Sequence, residues 1–505
     1  MNKFAKLVGY DKKQQTSVKT EITAGIVTFL AMAYILTLNP MLMLNLFYEG
    51  APYEYLRSSV FIATALGAFV GTMLMAIYAK LPLAQAPGLG LNSMVGALLG
   101  GGLIGASVTI SFGNAMLLVL ISGMLFLLLS LLKVHGISVR EIIYKGLPES
   151  IRLAISIGIG LFIALIGLVN AGIIVPGQKA VNIGGDTFLI PGTNTIVDLV
   201  HFSSWNASIA PALVCLFGFA VIVILSHFKV KGATIIGIVA ATLVGMIPKL
   251  GVTTWSGETW KFWEHFEGFF SFKSEEGGTF FAAFTEGFKF EKGVPVMSLV
   301  MVVITFCMID MFDTMGTCVG CCSAAGLMTE DGVPVNYNKI MVADSVATTT
   351  GALLGTSTVT TFVESGAGIA AGGKTGLTAF TTACLFLLSI FFLPVFASIP
   401  LAAASSALIW VGCLMLKGVK NVKVDDVKDL VPTFLTIAIM PFGYSITDGI
   451  GLGILSYVGI SLCSYIVDWI AYKMGKKEKP VWDLHVVTLI IAALFIVYFF
   501  VPTSF

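Results

Sequence analysis

The sequence predicts an all-α polytopic membrane protein, a 7+7 inverted-repeat transporter fold, and three observations carry the prediction. The 505 residues have a mean hydropathy of +0.94 and only 11% are charged, where a soluble domain has about a quarter. Apolar runs of about twenty residues, enough to span a bilayer, recur along the chain. Two short interrupted segments stand at matching places in the two halves, which is the sequence mark of a transporter built from inverted repeats.

The spans are expected at 20–46, 58–79, 92–104, 111–133, 149–171, 207–228, 232–248, 295–322, 340–355, 363–372, 375–394, 397–416, 428–443, 449–471 and 483–501. Met1 to Lys19 is polar and lysine-rich and is followed by a long apolar run, so it does not read as a secretory signal. Lys3, Lys6, Lys12, Lys13 and Lys19 precede the first span, which puts the N-terminus in the cytoplasm. Alternation then predicts basic cytoplasmic loops, and Lys80, Lys133, Arg140, Lys145, Lys229, Lys231, Lys417, Lys420, Lys423, Lys473, Lys476, Lys477 and Lys479 fall there. The outer loops 172–205 and 250–292 carry more acids or few cations.

Seven spans before the long loop make the second set start from the opposite side. Weak internal matches follow in order. MLFLLLS at 124–130 resembles CLFLLS at 384–389, and Pro148 and Pro400 each open a span with a glycine twelve residues on, Gly160 and Gly412. The expected organisation is a cytoplasmic segment 1–19 and a first repeat 20–248, with spans 1–4 at 20–133 and spans 5–7 at 149–248. An extracytoplasmic loop 249–294 leads to a second repeat 295–471, with spans 8–11 at 295–394 and spans 12–14 at 397–471. The remainder, 472–505, holds a cytoplasmic linker and an extra span. A re-entrant hairpin of two late segments is the alternative.

Several classes are disfavoured. A net charge of +1 gives no argument for nucleic acid. Cys318, Cys321 and Cys322 form CVGCC inside a span with no histidine near, which reads as small-residue packing rather than a metal site, and no disulfide is expected. The histidines (His135, His201, His227, His265, His485) lie scattered in loops or at span ends, so an enzyme is not expected and no cofactor is called for.

The chemistry is expected at the two broken segments. LPLAQAPGLGLN (81–92) has Pro82, Pro87, Gly88 and Gly90, so it should run extended until a helix begins near Asn92. TSTVTT (356–361) is rich in β-branched residues and should also be extended, with a helix beginning near Glu364. Extended backbone at membrane depth survives only inside protein or beside a cavity. The two strands could therefore pair across the repeats and aim both helix N-termini at one point. A plain cytoplasmic turn is the competing reading of APGLGLN.

Acids cluster in the same region. Asp310 and Asp313 sit mid-span three residues apart, on one helix face, and Glu364 opens the second broken segment. Each such acid costs about 2.5–3.5 kcal/mol on insertion scales, and none has a basic sequence neighbour. Asp344 is expected nearer the cytoplasmic end, where capping or scaffold contacts compete with a functional role. Carboxylates accept from N–H groups, and Asn92 offers one acceptor and two donors. This set suits a neutral heterocycle bearing ring N–H donors and carbonyl or ring-nitrogen acceptors. Phe362, Phe306 and Phe312 could wall it, although phenylalanine in a span is more often packing. Burial and a helix N-terminus act in opposite senses on the protonation of Glu364, and proton coupling is a natural use of such an acid.

EITAGIVTFLAMAYILTLNP (21–40), APGLGLN (86–92), DMFDTMGT (310–317) and ADSVATTTGALLGTSTVTTFVESGAGIAAGGKTGL (343–377) together resemble the nucleobase–cation symporter-2 family, in its adenine/guanine/hypoxanthine purine-permease branch. The resemblance covers nearly the whole chain; loop 250–292 is longer than the family suggests. It implies core domains from spans 1–4 and 8–11, gate domains from spans 5–7 and 12–14, and short strands at spans 3 and 10. It further implies purine:proton symport by alternating access at the cytoplasmic membrane, and dimer contacts through the gate. Carried over by position, Asp310 and Glu364 become direct substrate ligands, with Asn92 beside them. Phe362 and Ser365 flank Glu364 as further substrate-binding candidates. Asp313 becomes a coupling or site-shaping residue, a role for which Asp344 is a candidate from its own place in the sequence rather than from the resemblance. Phe362 stands where tyrosine is usual in the family and Ser93 where alanine is. A uracil or xanthine permease of the sister branch is the main rival, and an anion transporter of the same fold a weaker one.

Overall fold

The computed structural model describes residues 3–10, 16–44, 53–100, 110–134, 137–176, 178–183, 186–191, 197–199, 209–230, 232–247, 269–270, 278–290, 296–329, 334–422, 425–443, 445–475, 478–479, 481–482 and 484–500. Most of loop 249–294, residues 101–104 of the third expected span, and Lys12, Lys13, Lys231, Lys423, Lys476, Lys477, His135, His201 and His265 lie outside these.

Every expected span overlaps a helix, the first of them two, and one further helix, Val139–Gly146, stands between the fourth and fifth spans. The helices are α1 (Val18–Met32), α2 (Ile35–Met43), α3 (Arg57–Leu74), α4 (Leu89–Leu99), α5 (Phe112–Leu131), α6 (Val139–Gly146), α7 (Glu149–Asn170), α8 (Ile209–His227) and α9 (Ala233–Gly245). The second half adds α10 (Val296–Ala325), α11 (Tyr337–Leu354), α12 (Ser365–Ala370), α13 (Gly376–Ser389), α14 (Leu401–Met415), α15 (Val427–Phe442), α16 (Ile446–Lys473) and α17 (Val486–Phe500). Among the described residues nine helical stretches are long and apolar enough to cross a membrane. The helix α11 falls outside that set because its first turn, Tyr337-Asn338-Lys339, and to a lesser degree Asp344 and the threonines dilute its apolar run.

The caps follow from sequence. Ser17 and Ser111 accept N–H bonds from Thr20 and Asn114, each at 3.1 Å, and so open α1 and α5. Pro148 and Pro400 stand at the N-caps of α7 and α14, where the missing N–H costs nothing. The first expected span is two helices: the chain turns at Ala33–Tyr34 before α2, which carries Pro40.

The helices form two packing groups. α7, α8, α9, α14, α15 and α16 pack mainly on one another, and α1 to α5 with α10 to α13 form the other group. The matched glycines of the two halves meet where α7 crosses α14. A Cβ at Gly412 would stand 2.6 Å from the Gly160 carbonyl oxygen, and one at Gly160 3.3 Å from that of Gly412. Bare backbone faces bare backbone there, as close helix crossings in membranes require. The extra helix α17 lies against α16, α10 and α6.

Three features lie beyond what the sequence reading specified. The outer loop is not wholly irregular: β4 (Ile174–Pro176) pairs with β7 (Val197–Leu199), and β5 (Gln178–Ile183) with β6 (Asp186–Pro191), all antiparallel. Arg140 is not a solvated loop charge. It is fully buried on α6, after the small β2 (Lys133–Val134) and β3 (Ile137–Ser138) pair, with its guanidinium 5.6 Å and 5.4 Å from the ring centres of Phe126 and Tyr337. The first half-helix begins at Leu89 rather than near Asn92, because extended Gly88 already serves as its N-cap.

Candidate functional site

The two broken segments do pair. β1 (Gln85–Pro87) runs antiparallel to β8 (Val359–Thr361), with Gln85 opposite Thr361, Ala86 opposite Thr360 and Pro87 opposite Val359. The ladder extends one bond at each end, Gly88 N–H to Thr358 O at 3.0 Å and Phe362 N–H to Ala84 O at 3.0 Å. All six strand residues are buried. Pairing satisfies backbone that lipid could not. Side chains lock the pair in place. Thr72 Oγ donates to Gln85 O and accepts from Gln85 N–H, both at 2.9 Å, and Asn39 Nδ2 donates to Thr64 Oγ at 2.5 Å and Thr356 Oγ at 2.7 Å.

Each strand hands over to a half-helix, α4 after β1 and α12 after β8. Asn92 is fully buried in the first turns of α4, accepting from Ser357 Oγ and lying 3.4 Å by Nδ2 from Pro87 O. Glu364 is the N-cap residue of α12, but its side chain does not cap that helix. Its Oε1 instead accepts from Tyr34 Oη at 2.5 Å. Ser365 reaches back to the first strand and accepts from Ala84 N–H at 3.0 Å. Phe362 is buried, as are Phe306 and Phe312 in the surrounding core.

Alternation along β8 sorts the acids. Thr360 faces one side, where its hydroxyl lies 3.3 Å from Asp313 Oδ2. Thr361 and Val359 face the other, toward α3 and α11. Asp313 and Glu364 are only partly buried, and the surface beside them is open. Among the described residues, no atom beyond the local helix lies within 4 Å of where a Cβ would stand at Gly316, Gly320 or Gly366. Asp310 and Asp344 are fully buried. Asp310 Oδ2 accepts from Thr348 Oγ at 2.8 Å, while its Oδ1 has no hydrogen-bond donor among the described residues.

Asp344 is not near a helix end. It lies in the middle of α11, where its Oδ1 accepts from Gln85 Nε2 at 2.6 Å, Thr314 Oγ at 2.8 Å and Thr361 Oγ at 3.4 Å. Scaffold contacts, the competing expectation, describe that oxygen well. The contacts are reciprocal: Asp310 and Thr314 are four apart on α10, Asp344 and Thr348 four apart on α11, and each aspartate takes the hydroxyl of the other helix. Four residues rise about 6 Å, so two antiparallel helices are stapled twice, one turn apart.

The structure thus brings Asn92, Asp310, Asp313, Asp344, Phe362, Glu364 and Ser365 around one strand crossing, but gives Asp310 and Glu364 different partners. Sequence reasoning passed over Tyr34, Gln85, Thr314 and Thr348. Tyr34 and Gln85 lay inside the quoted stretches 21–40 and 81–92, and a lone glutamine in an apolar strand was a signal in itself. Glu21 was also passed over. Buried in α1, it accepts from Lys374 N–H at 3.1 Å, Thr375 N–H at 3.3 Å and Thr378 Oγ at 2.5 Å, and so holds the turn that follows α12.

A multi-pass permease of the inverted-repeat class is what this fold and crossing define. Residues 19–452 match the xanthine/uracil permease model, described as "Permease family", and the chain belongs to that family. It is 35% identical to the guanine/hypoxanthine permease PbuO of Bacillus subtilis, over 97% of this chain and 99% of that one. It is 33% identical to the adenine permease AdeQ of Escherichia coli, over 95% of this chain and 92% of the other. Among solved structures, the transmembrane domain of the cyanobacterial bicarbonate transporter BicA superposes with a TM-score of 0.55 at 15% identity. The match covers 86% of this chain and 97% of that domain, a likeness of fold alone.

Proposed function

We propose that this permease imports purine nucleobases (adenine, guanine or hypoxanthine) across the cytoplasmic membrane together with protons. The observation that carries the proposal is Glu364 at the start of a half-helix, beside the strand crossing, together with Asp310 on α10, whose Oδ1 has no donor among the described residues. Relatives named as guanine/hypoxanthine and adenine permeases support the choice of purine. In this reading Glu364 and Asp310 accept from ring N–H groups, and Asn92 and Ser365 hold the backbone that meets acceptor atoms. Phe362 lies against the ring, and Asp313 shapes the entrance. The N-terminus is cytoplasmic. The core segments 20–133 and 295–394 move against the gate segments 149–248 and 397–471, and the gate carries the contacts of a homodimer.

The fold is shared with a bicarbonate transporter, but an anion site calls for a cation or bare helix N-termini at the ligand, and here acids crowd the crossing. Uptake of labelled hypoxanthine, competed in turn by adenine, guanine, xanthine and uracil and repeated with a protonophore, tests the reading. Competition by uracil and xanthine alone would move the protein to the sister branch, and entry of bicarbonate or sulfate without purine would overturn the proposal.

Tyr34 occupies the Glu364 oxygen that substrate needs. Tyr34→Phe is expected to tighten apparent purine affinity by up to about tenfold, the value of one hydrogen bond. A competition assay reads this directly, and weaker affinity would mean that Tyr34 holds Glu364 in position instead of competing for it.

A further inference from the structure

Behind the strand pair, on the side away from Glu364, lies a sealed polar contact that the transport reading leaves unused. Gln85 and Asp344 are both fully buried. Gln85 Nε2 donates to Asp344 Oδ1 at 2.6 Å. The remaining oxygen of each group, Gln85 Oε1 and Asp344 Oδ2, has no hydrogen-bond donor among the described residues. Two buried acceptors left over on side chains already joined by one bond are costly. A single hydrogen supplies what both lack. With a proton on Oδ2, Asp344 donates to Gln85 Oε1, and the acid and the amide close a ring of two hydrogen bonds.

We propose that Asp344 is the binding site of the coupled proton and that Gln85 is its reporter on the strand pair; this rests on the nucleobase–proton reading above. The proton forms an O–H bond on Asp344 Oδ2 and the same bond breaks on release, with no electron transferred. Gln85 belongs to β1 in the first half of the chain and Asp344 to α11 in the second, so the ring clamps one repeat to the other. Losing the proton removes one of the two bonds and leaves a carboxylate oxygen facing an amide oxygen. The strand β1 is thereby loosened from α11, and β1 leads directly into the half-helix carrying Asn92. The Thr314 and Thr348 staples extend the linkage to Asp310. The charged and titratable groups facing Asp344 are Asp310, Asp313 and Cys318 on α10 and Arg140 on α6.

D344N tests the proposal, since the amide keeps the ring permanently closed. Wild-type and variant proteins are reconstituted into liposomes and assayed for labelled-purine exchange at equal pH and for accumulation driven by an imposed pH gradient. Exchange by the wild type establishes the nucleobase reading independently of coupling. The expected result is that D344N still exchanges purine but loses at least tenfold of gradient-driven accumulation, and that its apparent affinity no longer varies with pH. Accumulation at the wild-type level would overturn the proposal. So would wild-type accumulation driven by a sodium gradient and lost in D344N, which would assign the site to a metal cation. If D344N fails to fold, Gln85→Met keeps the carboxylate and removes its partner. The midpoint of the pH dependence should then move by at least about one unit, and an unmoved midpoint overturns the proposal equally.

Discussion

Glu364→Gln is expected to lower purine uptake by about two orders of magnitude while leaving the protein folded. The glutamine keeps the size and one acceptor oxygen, so Tyr34 still has a partner. It loses the charge, and it presents an N–H group where the substrate also presents one. A hydrogen bond to a charged group contributes roughly 1.5–3 kcal/mol, and about 2.7 kcal/mol corresponds to a hundredfold. Folding should survive because the Glu364 side chain caps no helix. Uptake by expressing cells, with size-exclusion chromatography of the purified variant, checks both halves of the expectation. Normal uptake would remove Glu364 from the substrate site.

Gly355→Val should do the reverse and destroy the fold rather than the chemistry. Gly355 ends α11 in a left-handed turn at φ +89° and points the chain back into the strand segment. A side chain at that φ costs about 1–2 kcal/mol. Its Cβ would also stand 2.6 Å from the Thr279 carbonyl oxygen and 2.8 Å from its hydroxyl, overpacking that adds about 1–3 kcal/mol. The strand that must meet β1 starts only four residues later. The variant is expected to melt far below wild type or to yield no monodisperse protein. Gly459→Ala on α16, where among the described residues no atom beyond the local helix lies within 4 Å of the new methyl group, should melt like wild type. Equal melting of Gly355→Val and wild type would show that the left-handed turn is dispensable.

The spans were legible because apolar length is a direct consequence of bilayer thickness, and the strands because Pro, Gly and β-branched residues forbid or discourage helix where they stand. The facing of Gly160 and Gly412 was foreshadowed by their equal offsets from Pro148 and Pro400. Partner choice was not legible. Nothing local tells that Asp310 meets a threonine 38 residues on, or that Tyr34 meets Glu364 across 330 residues. Those pairings depend on which helices become neighbours. Asp344 stands farther from the helix end than expected because α11 begins at Tyr337, three residues before the apolar run at 340, through the polar Asn338 and Lys339. The burial of Arg140 was not legible, because charge counts in loops say nothing of a side chain that folds back against aromatic rings.

The pairing of β1 with β8 also sets an order of assembly. Gln85 and Thr361 are 276 residues apart, so the first strand enters the membrane long before its partner has been synthesised. Until then its ladder groups must be sheltered by neighbouring helices, by water or by the insertion machinery. Bringing such distant segments together is entropically costly and slow compared with packing adjacent helices. The strand crossing is therefore among the last parts of the molecule to become native. A chain halted after its first seven spans would hold an open strand edge, a natural mark for quality control.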